Sequence, residues 1–447
     1  MGGLRILLTN CTMADRHGSV TYLRDLALGL LRQGHRPAVY TPDVGAVGAE
    51  LRAATVPVVA DLGRLGEPPD VVHGHSNSDL VAAMTRFPDA PAVFVCHAWD
   101  IWHSEPPRLP RVRRYVAVDE TCRDWLVCQR GVPAGQVRVV LNAVDTRRFR
   151  PRPPLPPRPR RALVFSNYAE EQNYLRAVRQ ACDEAGVPLD VVGGGVGNPC
   201  DRPEAILGGY DLVFAKARCA QEALAVGAAV ILCDKAGCGP LVTTANWARL
   251  RRFNFGRRVL DRPVTPELLA AEIARYDGAD AAEVSRRMRR EADLDEAVAA
   301  HLAICREVVE EHAAAPRADA RGEWEALALY LQDPDGGRHL FHHKQVIESL
   351  RAAMERQGHD LQAALARREE ARQAAVEEVE QLRQAMGGFR AGLAARGAPR
   401  QDSTSAEVAE LRAELNALRN SASVRWGNRL RKIPLLRGCL RALAAVF

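Results

Sequence analysis

The feature that most constrains this chain is an alternation, repeated twice, of short apolar runs with longer segments of helical spacing. In residues 1–148, the runs Leu4–Thr9, Pro37–Thr41, Val71–His73, Ala92–Cys96, Tyr115–Val118 and Val137–Leu141 read as buried strands. After the first of them, Ser19–Gln33 places Val20, Leu23, Leu26, Ala27 and Leu30 on one helical face, and Gly34 ends it. Strands separated by helices predict parallel βαβ units. The stretch 149–161, FRPRPPLPPRPRR, breaks the pattern, because proline lacks the N–H a sheet needs and favours an extended linker. The alternation then resumes at Ala162–Ser166 and continues through Leu189–Val192, Leu212–Phe214 and Val230–Cys233, giving a second unit over 162–262 closed by helices over 263–318. The fold class is therefore α/β, with two Rossmann-like domains.

The remainder differs in kind. Residues 319–420 are rich in Ala, Arg, Glu, Gln and Leu and predict a helical extension. Val379, Leu382, Met386, Phe389 and Leu393, and then Val408, Leu411, Leu415 and Leu418, form short heptad runs, so the extension is partly coiled coil and could support a homo-oligomer. The tail 421–447 is basic and amphipathic, with Trp426, Leu430, Ile433, Leu436, Leu440 and Leu443 supplying an apolar face. Segment 424–447 thus suits an anionic membrane surface; the other reading is a helix that docks on protein.

Charge and cysteine usage narrow the class. A net charge of +6 over 447 residues does not point to nucleic acid. The 11 cysteines are scattered in apolar runs without the spacing of a disulfide framework or zinc site, which predicts reduced thiols and a cytoplasmic protein. No apolar run approaches the roughly 20 residues of a membrane-spanning helix. Asp333-Pro334-Asp335 reads as a turn, and His339, His342 and His343 as a surface helix start, so no metal site is predicted.

In doubly wound sheets, ligands sit at the carboxyl ends of strands. Gly18 and Ser19 close the loop after the first strand and precede a helix, so they offer either an anion contact at a helix N-terminus or a plain N-cap by Ser19. His97 follows the strand VFVC, and His75 lies in HGHS. In the second unit the candidates are Gly193, Gly194 and Gly195 of GGGVG, the basic residues Lys216 and Arg218, and Glu222. Lys216 and Arg218 read equally well as a solvated helix start.

The order and spacing of RILLTN, the Gly–Ser loop, LALGLLRQGHRPAVYTP, PDVVHGHS, VFVCHAWD, YVAVDETCRDWLVCQRGVP and VRVVLNAVDTRRFRP resemble the N-terminal half of family 4 glycosyltransferases of GT-B architecture. The resemblance implies transfer of a sugar from a nucleoside diphosphate sugar to a hydroxyl acceptor, with retention, in surface polysaccharide or glycolipid assembly. No cofactor is implied beyond that substrate. It implies that Gly18 approaches the donor diphosphate and that His97 lies near the donor sugar, while His75 reads as a packing or loop-fixing residue. YDLVFAKARCAQEALAVGAAVILCDKAGCGPLV resembles the donor-site segment, and its Glu222 matches the ribose-binding glutamate. The family's partner glutamate, eight positions earlier, is Phe214 here, and its arginine and lysine are missing from SNYAEEQNY. Lys216 and Arg218 are the candidates to neutralise the diphosphate in their place. The missing groups also fit a second reading, a GT-B scaffold without turnover that binds glycans or organises partners. A third, a nucleotide-sugar epimerase, sits poorly with the acceptor-domain motifs and the basic tail.

Overall fold

The computed structural model describes residues 3–14, 16–315, 320–332 and 362–381, with 383–384, 387–388, 391, 410 and 413. The chain divides into two units, 1–356 and 357–447.

The first unit contains two sheets. One has seven parallel strands in the order β3-β2-β1-β4-β5-β6-β7. They are β1 (Arg5–Thr9), β2 (Arg36–Tyr40), β3 (Val58–Val59), β4 (Val71–Gly74), β5 (Ala92–Cys96), β6 (Val112–Ala117) and β7 (Val137–Val139). Helices α1 (Gly18–Arg32), α2 (Gly45–Ala53), α3 (Asn77–Arg86) and α4 (Glu120–Asp124) connect them. Covered on both faces, β4 and β5 are buried at every residue, which is why they read as unbroken apolar runs. Strand order reverses between β1 and β4, which makes their carboxyl ends the place where a ligand crevice opens.

The second sheet has five strands in the order β12-β11-β10-β8-β9. They are β8 (Ala162–Phe165), β9 (Leu189–Val192), β10 (Leu212–Ala215), β11 (Ala229–Asp234) and β12 (Gly237–Leu241). All pairs are parallel except β11 with β12. Its helices are α5 (Leu175–Glu184), α6 (Pro203–Ile206), α7 (Ala217–Val226), α8 (Trp247–Arg251), α9 (Pro266–Ile273) and α10 (Gly278–Glu291). Here the order reverses between β8 and β10.

Two strands go beyond the sequence reading. The first, β3, is two residues long and too short to carry a period. The second, β12, reads GCGPL, which looks like a turn; its Pro240 is tolerated because β12 is an edge strand. β6 also starts at Val112 rather than Tyr115, because the charges of Arg113 and Arg114 hide it. The Pro/Arg-rich stretch has neither helix nor strand and is fastened to the second domain. Its Arg152 guanidinium donates to the Tyr210 carbonyl and pairs with Asp211 at 2.6 Å.

The next helix crosses back. α11 (Leu294–Ala314) is capped by Asp293, whose carboxylate accepts from Asp295 N–H at 2.9 Å and from the Thr146 hydroxyl at 2.5 Å. It buries Val298, Leu302, Cys305 and Val308 in the core of the first sheet. Glu307 on the same helix pairs with Arg114 at 2.6 Å and Arg138 at 3.1 Å. α12 (Ala320–Leu331) follows onto the same domain, with Glu323 accepting from the Arg111 N–H at 2.9 Å. The two domains also lock through Asn254. Its side chain donates to the Val118 carbonyl and accepts from the Asn142 N–H at 3.2 Å, and Arg251 supports it at 2.8 Å.

In the second unit, residues 362–381 are helical and exposed throughout, with an Arg372–Glu369 pair at 2.6 Å. The heptad position Val379 is 52% exposed. The remaining heptad positions, Asp333–Asp335, the three histidines from His339 and the tail 424–447 lie outside the described residues. The ten cysteines among the described residues are all free. No helix among them is long and apolar enough to cross a membrane.

Close approach of α1 and α11 depends on Gly29. A Cβ there would stand 2.5 Å from a methyl of Val298, which is itself fully buried and β-branched. A Gly→Ala change inside a helix ordinarily stabilises by about 1 kcal/mol. Here Gly29→Ala is expected to destabilise by about 1–3 kcal/mol through overpacking. Urea unfolding of Gly29→Ala alone and with Val298→Ala checks this; a more stable single variant would contradict the packing.

Candidate active site

The candidate residues of the first domain stand at the carboxyl edge of its sheet. Gly18 is the first residue of α1, so the N-cap is His17 and not Ser19, which lies inside the helix. Gly18 is exposed, and a Cβ there would meet nothing within 4 Å. His97 follows β5 and is half-buried.

His97 heads a chain of buried imidazoles. Its Nε2 lies 2.8 Å from His75 Nδ1. His75 Nε2 lies 3.1 Å from His73 Nδ1, and His73 Nε2 lies 3.1 Å from His301 Nδ1 on α11. His301 Nε2 ends the chain 2.5 Å from the Tyr22 hydroxyl on α1. The Tyr22 ring also stands edge-on to His97, at 5.0 Å between centroids. His75, read from sequence as a packing residue, is a link in this chain. The nitrogens pair in sequence rather than converging on one point, so the cluster is not a cage for a metal ion. Burial pushes His97 down to about 3 and His301 down to about 4, and the His301 imidazole adds to the effect at His97. His73 and His75 are lowered well below the usual histidine range for the same reasons.

The second domain contributes α7 and the loops beside it. Ala217, between Lys216 and Arg218, holds φ at +47°, a costly conformation for alanine that sends the two cations apart. Lys216 turns back to its own domain and pairs with Asp234 at 3.2 Å. Arg218 crosses to the first domain, pairing with Asp25 of α1 and, at 2.9 Å, with Glu222. Arg24 completes this buried quartet by pairing with Asp25 at 2.5 Å. Burial opposes the charge on Arg218, but Asp25 and Glu222 outweigh it and raise its pKa. For Glu222 burial wins, and the carboxyl is raised despite Arg218.

Gly193, Gly194 and Gly195 fasten two loops together. Gly193 has φ +153°, and a Cβ there would lie 1.9 Å from the Ser166 carbonyl oxygen. Gly194 N–H donates to Asn167 Oδ1 and Gly195 N–H to the Asn167 carbonyl, both at 3.0 Å. The loop so held presents Tyr168, which is 49% exposed. Lys216 and Lys235 stand over its ring, 5.1 and 5.2 Å from the centroid. Lys235 and Tyr168 escaped the sequence reading. The available signal was position, since Tyr168 lies in the loop after β8 and Lys235 directly follows β11, both at carboxyl ends of strands.

A cavity of about 320 Å³ opens between the domains beside Asp25. Arginines and carboxylates line it in equal number, so it does not select an anion. Phe214 lies in β10 and is fully buried.

Residues 16–148 match the family described as Glycosyltransferase Family 4. No curated protein sequence matches the chain. In structure, the chain is similar to a glycosyltransferase from Rickettsia africae, at TM-score 0.52 and 15% identity over 69% of this chain and 99% of that one. It is also similar to Anabaena HepE in complex with UDP and glucose, at TM-score 0.50 and 14% identity over 67% and 99%. The chain therefore has the two-domain GT-B fold of these glycosyltransferases with a helical extension added, and the match to a glycosyltransferase family covers its first domain.

Two outcomes follow from the site. Restoring the family's acid by Phe214→Glu would bury a carboxylate inside a strand without a partner. It is expected to destabilise the fold by roughly 3 kcal/mol or more instead of improving donor affinity, as thermal unfolding and nucleotide titration would report. The histidine chain makes the fold acid-labile. A base with a depressed folded pKa takes up its proton first in the unfolded chain. Stability is therefore complete above about pH 6.5 and falls by about 1.4 kcal/mol per pH unit per histidine below it, until the folded pKa is reached. Urea midpoints between pH 7 and pH 5 should fall steeply, and less steeply in His301→Gln, which removes one titrating ring.

Proposed function

We propose that this chain transfers a sugar from a nucleoside diphosphate sugar to a hydroxyl acceptor, with retention of configuration. The observation that carries the reading is the pair Lys216 and Lys235 around Tyr168 at the β8/β10 reversal. The departing diphosphate develops negative charge, and fixed cations at that point stabilise it. These lysines follow β10 and β11 and stand over the ring of the β8 loop, in which the resemblance lacks its usual arginine and lysine. Gly18, exposed at the start of α1, leaves room for a phosphate oxygen beside helix N–H groups. Glu222 would hold the ribose through the oxygen that Arg218 does not occupy. His97 would position the donor sugar. That HepE holds UDP and glucose supports the donor class. A basic tail over 424–447 suits a lipid-linked acceptor at an anionic membrane face.

The rival reading is a scaffold without turnover, which the engagement of Glu222 by Arg218 favours. Calorimetric titration with a panel of nucleoside diphosphate sugars separates the two. At least one is expected to bind, and Lys235→Met is expected to weaken that binding by about 1.5–3 kcal/mol. Lys235 is exposed, so its loss should leave the fold intact. Unchanged affinity would remove the diphosphate role, and no binding across the panel would favour the scaffold.

A further inference from the structure

We infer that the chain Tyr22–His301–His73–His75–His97 is a directional hydrogen-bond relay in which Tyr22 fixes the tautomer of His97, so that His97 presents an Nδ1–H donor to an oxygen of the bound substrate. Tyr22, His301, His73 and His75 are positioning residues that act through His97.

The argument starts from hydrogen-bond capacity. A neutral imidazole has one N–H donor and one lone-pair acceptor. Four of them linked nitrogen to nitrogen can carry only one polarity at a time, because each donor must meet an acceptor. Protonating any ring would place two donors face to face or leave a buried charge, and burial holds His97 and His301 neutral near neutral pH. The chain therefore has two states. Every proton sits on Nδ1, or every proton sits on Nε2.

Tyr22 decides between them. Its hydroxyl is buried, and His301 Nε2 is its one hydrogen-bond partner among the described residues. If the hydroxyl donates, His301 must carry its proton on Nδ1 and pass it toward His73 Nε2. His73 then donates from Nδ1 to His75 Nε2, and His75 from Nδ1 to His97 Nε2. His97 is left with its proton on Nδ1, the nitrogen with no partner among the described residues. In the opposite polarity Tyr22 accepts from His301, and its own O–H is buried without an acceptor. An unsatisfied buried hydroxyl disfavours that state by roughly five- to a hundredfold in population.

The fold supplies the parts from distant points. His73 and His75 come from β4 and its end, His97 from the end of β5, Tyr22 from α1 and His301 from the returning α11. Tyr22 lies one turn before Asp25, the residue that Arg218 of the second domain holds. The relay thus ends on the helix that makes the interdomain contact. What His97 donates to rests on the glycosyl-transfer reading; the polarity of the chain does not.

The test uses full-length protein labelled with [15N]histidine, whose ring shifts distinguish an N–H nitrogen from a lone-pair nitrogen. In the wild type, all four rings are expected to carry the proton on Nδ1. Tyr22→Phe removes the bias, and an Nε2-protonated population should appear at His97. His301→Leu, which breaks the relay, should do the same. In His301→Gln an amide supplies one acceptor for Tyr22 and one donor for His73, so the wild-type tautomer at His97 should be kept. Titration with nucleoside diphosphate and with the corresponding sugar nucleotide locates the acceptor oxygen. Tyr22→Phe should weaken sugar-nucleotide binding about tenfold, the worth of one hydrogen bond. If the free diphosphate is weakened equally, the acceptor is a phosphate oxygen; if not, it is a sugar hydroxyl. An Nε2–H tautomer at His97 in the wild type, an unchanged tautomer in Tyr22→Phe, or equal behaviour of His301→Leu and His301→Gln would overturn the relay. Failure of every nucleotide to bind would overturn only the functional reading, because the shifts are read without ligand.

Discussion

The site depends on one packing event, the return of α11 across the first sheet. The helix begins at the joint between the two domains, where Asp293 caps it and holds Thr146. It then buries an apolar stripe against the core of the other domain. The missing side chain of Gly29 lets Val298 seat against α1. That closeness sets His301 within 3.1 Å of His73 and 2.5 Å of Tyr22. A wider helix separation would break both bonds and leave two buried rings and a hydroxyl unsatisfied, at about 1–3 kcal/mol each. Apolar packing and the polar chain therefore hold each other in place. The second domain's chain end builds part of the first domain's edge.

The two sides of the gap solve electrostatics in opposite ways. On the first domain, burial strips the histidines of charge, so the edge offers neutral donors and acceptors. On the second, Lys216 and Lys235 keep a cationic edge by standing over an exposed tyrosine. Between them, Arg24, Asp25, Arg218 and Glu222 form a buried quartet of zero net charge. Desolvation takes back much of what such a group gains in Coulomb energy, so its main effect is to define register. Removing any one member strands a buried charge. The quartet thus fixes how α1 meets α7, and with it how His97 meets the cationic edge.

Much of this was readable from residues alone. The apolar runs located ten of the twelve strands among the described residues, because strands covered on both faces leave no polar interruption. β12 was hidden by its glycines and proline, and β3 by its length. His97 was legible as a candidate from its strand end and the resemblance of VFVCHAWD, and Lys216 from its nearness in sequence to Glu222. The histidine chain was not readable as a whole. His73 and His301 are separated by 228 positions, and no local period links them. Phe214 shows the opposite limit. The resemblance aligned it with a ligand position, but the register of β10 with β8 and β11 turns that position into the core.

The loop after β8 lacks the cations of the motif it resembles and is built differently. In SNYAEEQNY the polar residues serve the loop itself. Asn167 accepts from Gly194 N–H through its side chain and from Gly195 N–H through its carbonyl, while Asn173 donates to the Tyr168 carbonyl at 2.8 Å. A side chain at Gly193 or Gly195 would strike the carbonyl oxygens of Ser166 and Ala169. The loop is thereby held down and carries an aromatic ring where its relatives by resemblance carry charge. The positive charge has moved to the neighbouring strand ends, one lysine after β10 and one after β11. Both are attracted to the same ring, which helps keep two like charges close. Among the described residues only Lys216 of the two has an acid partner, Asp234, and that acid is fully buried. Among the described residues one of the two positive charges therefore remains uncompensated at the edge, and the proposed diphosphate role draws on it.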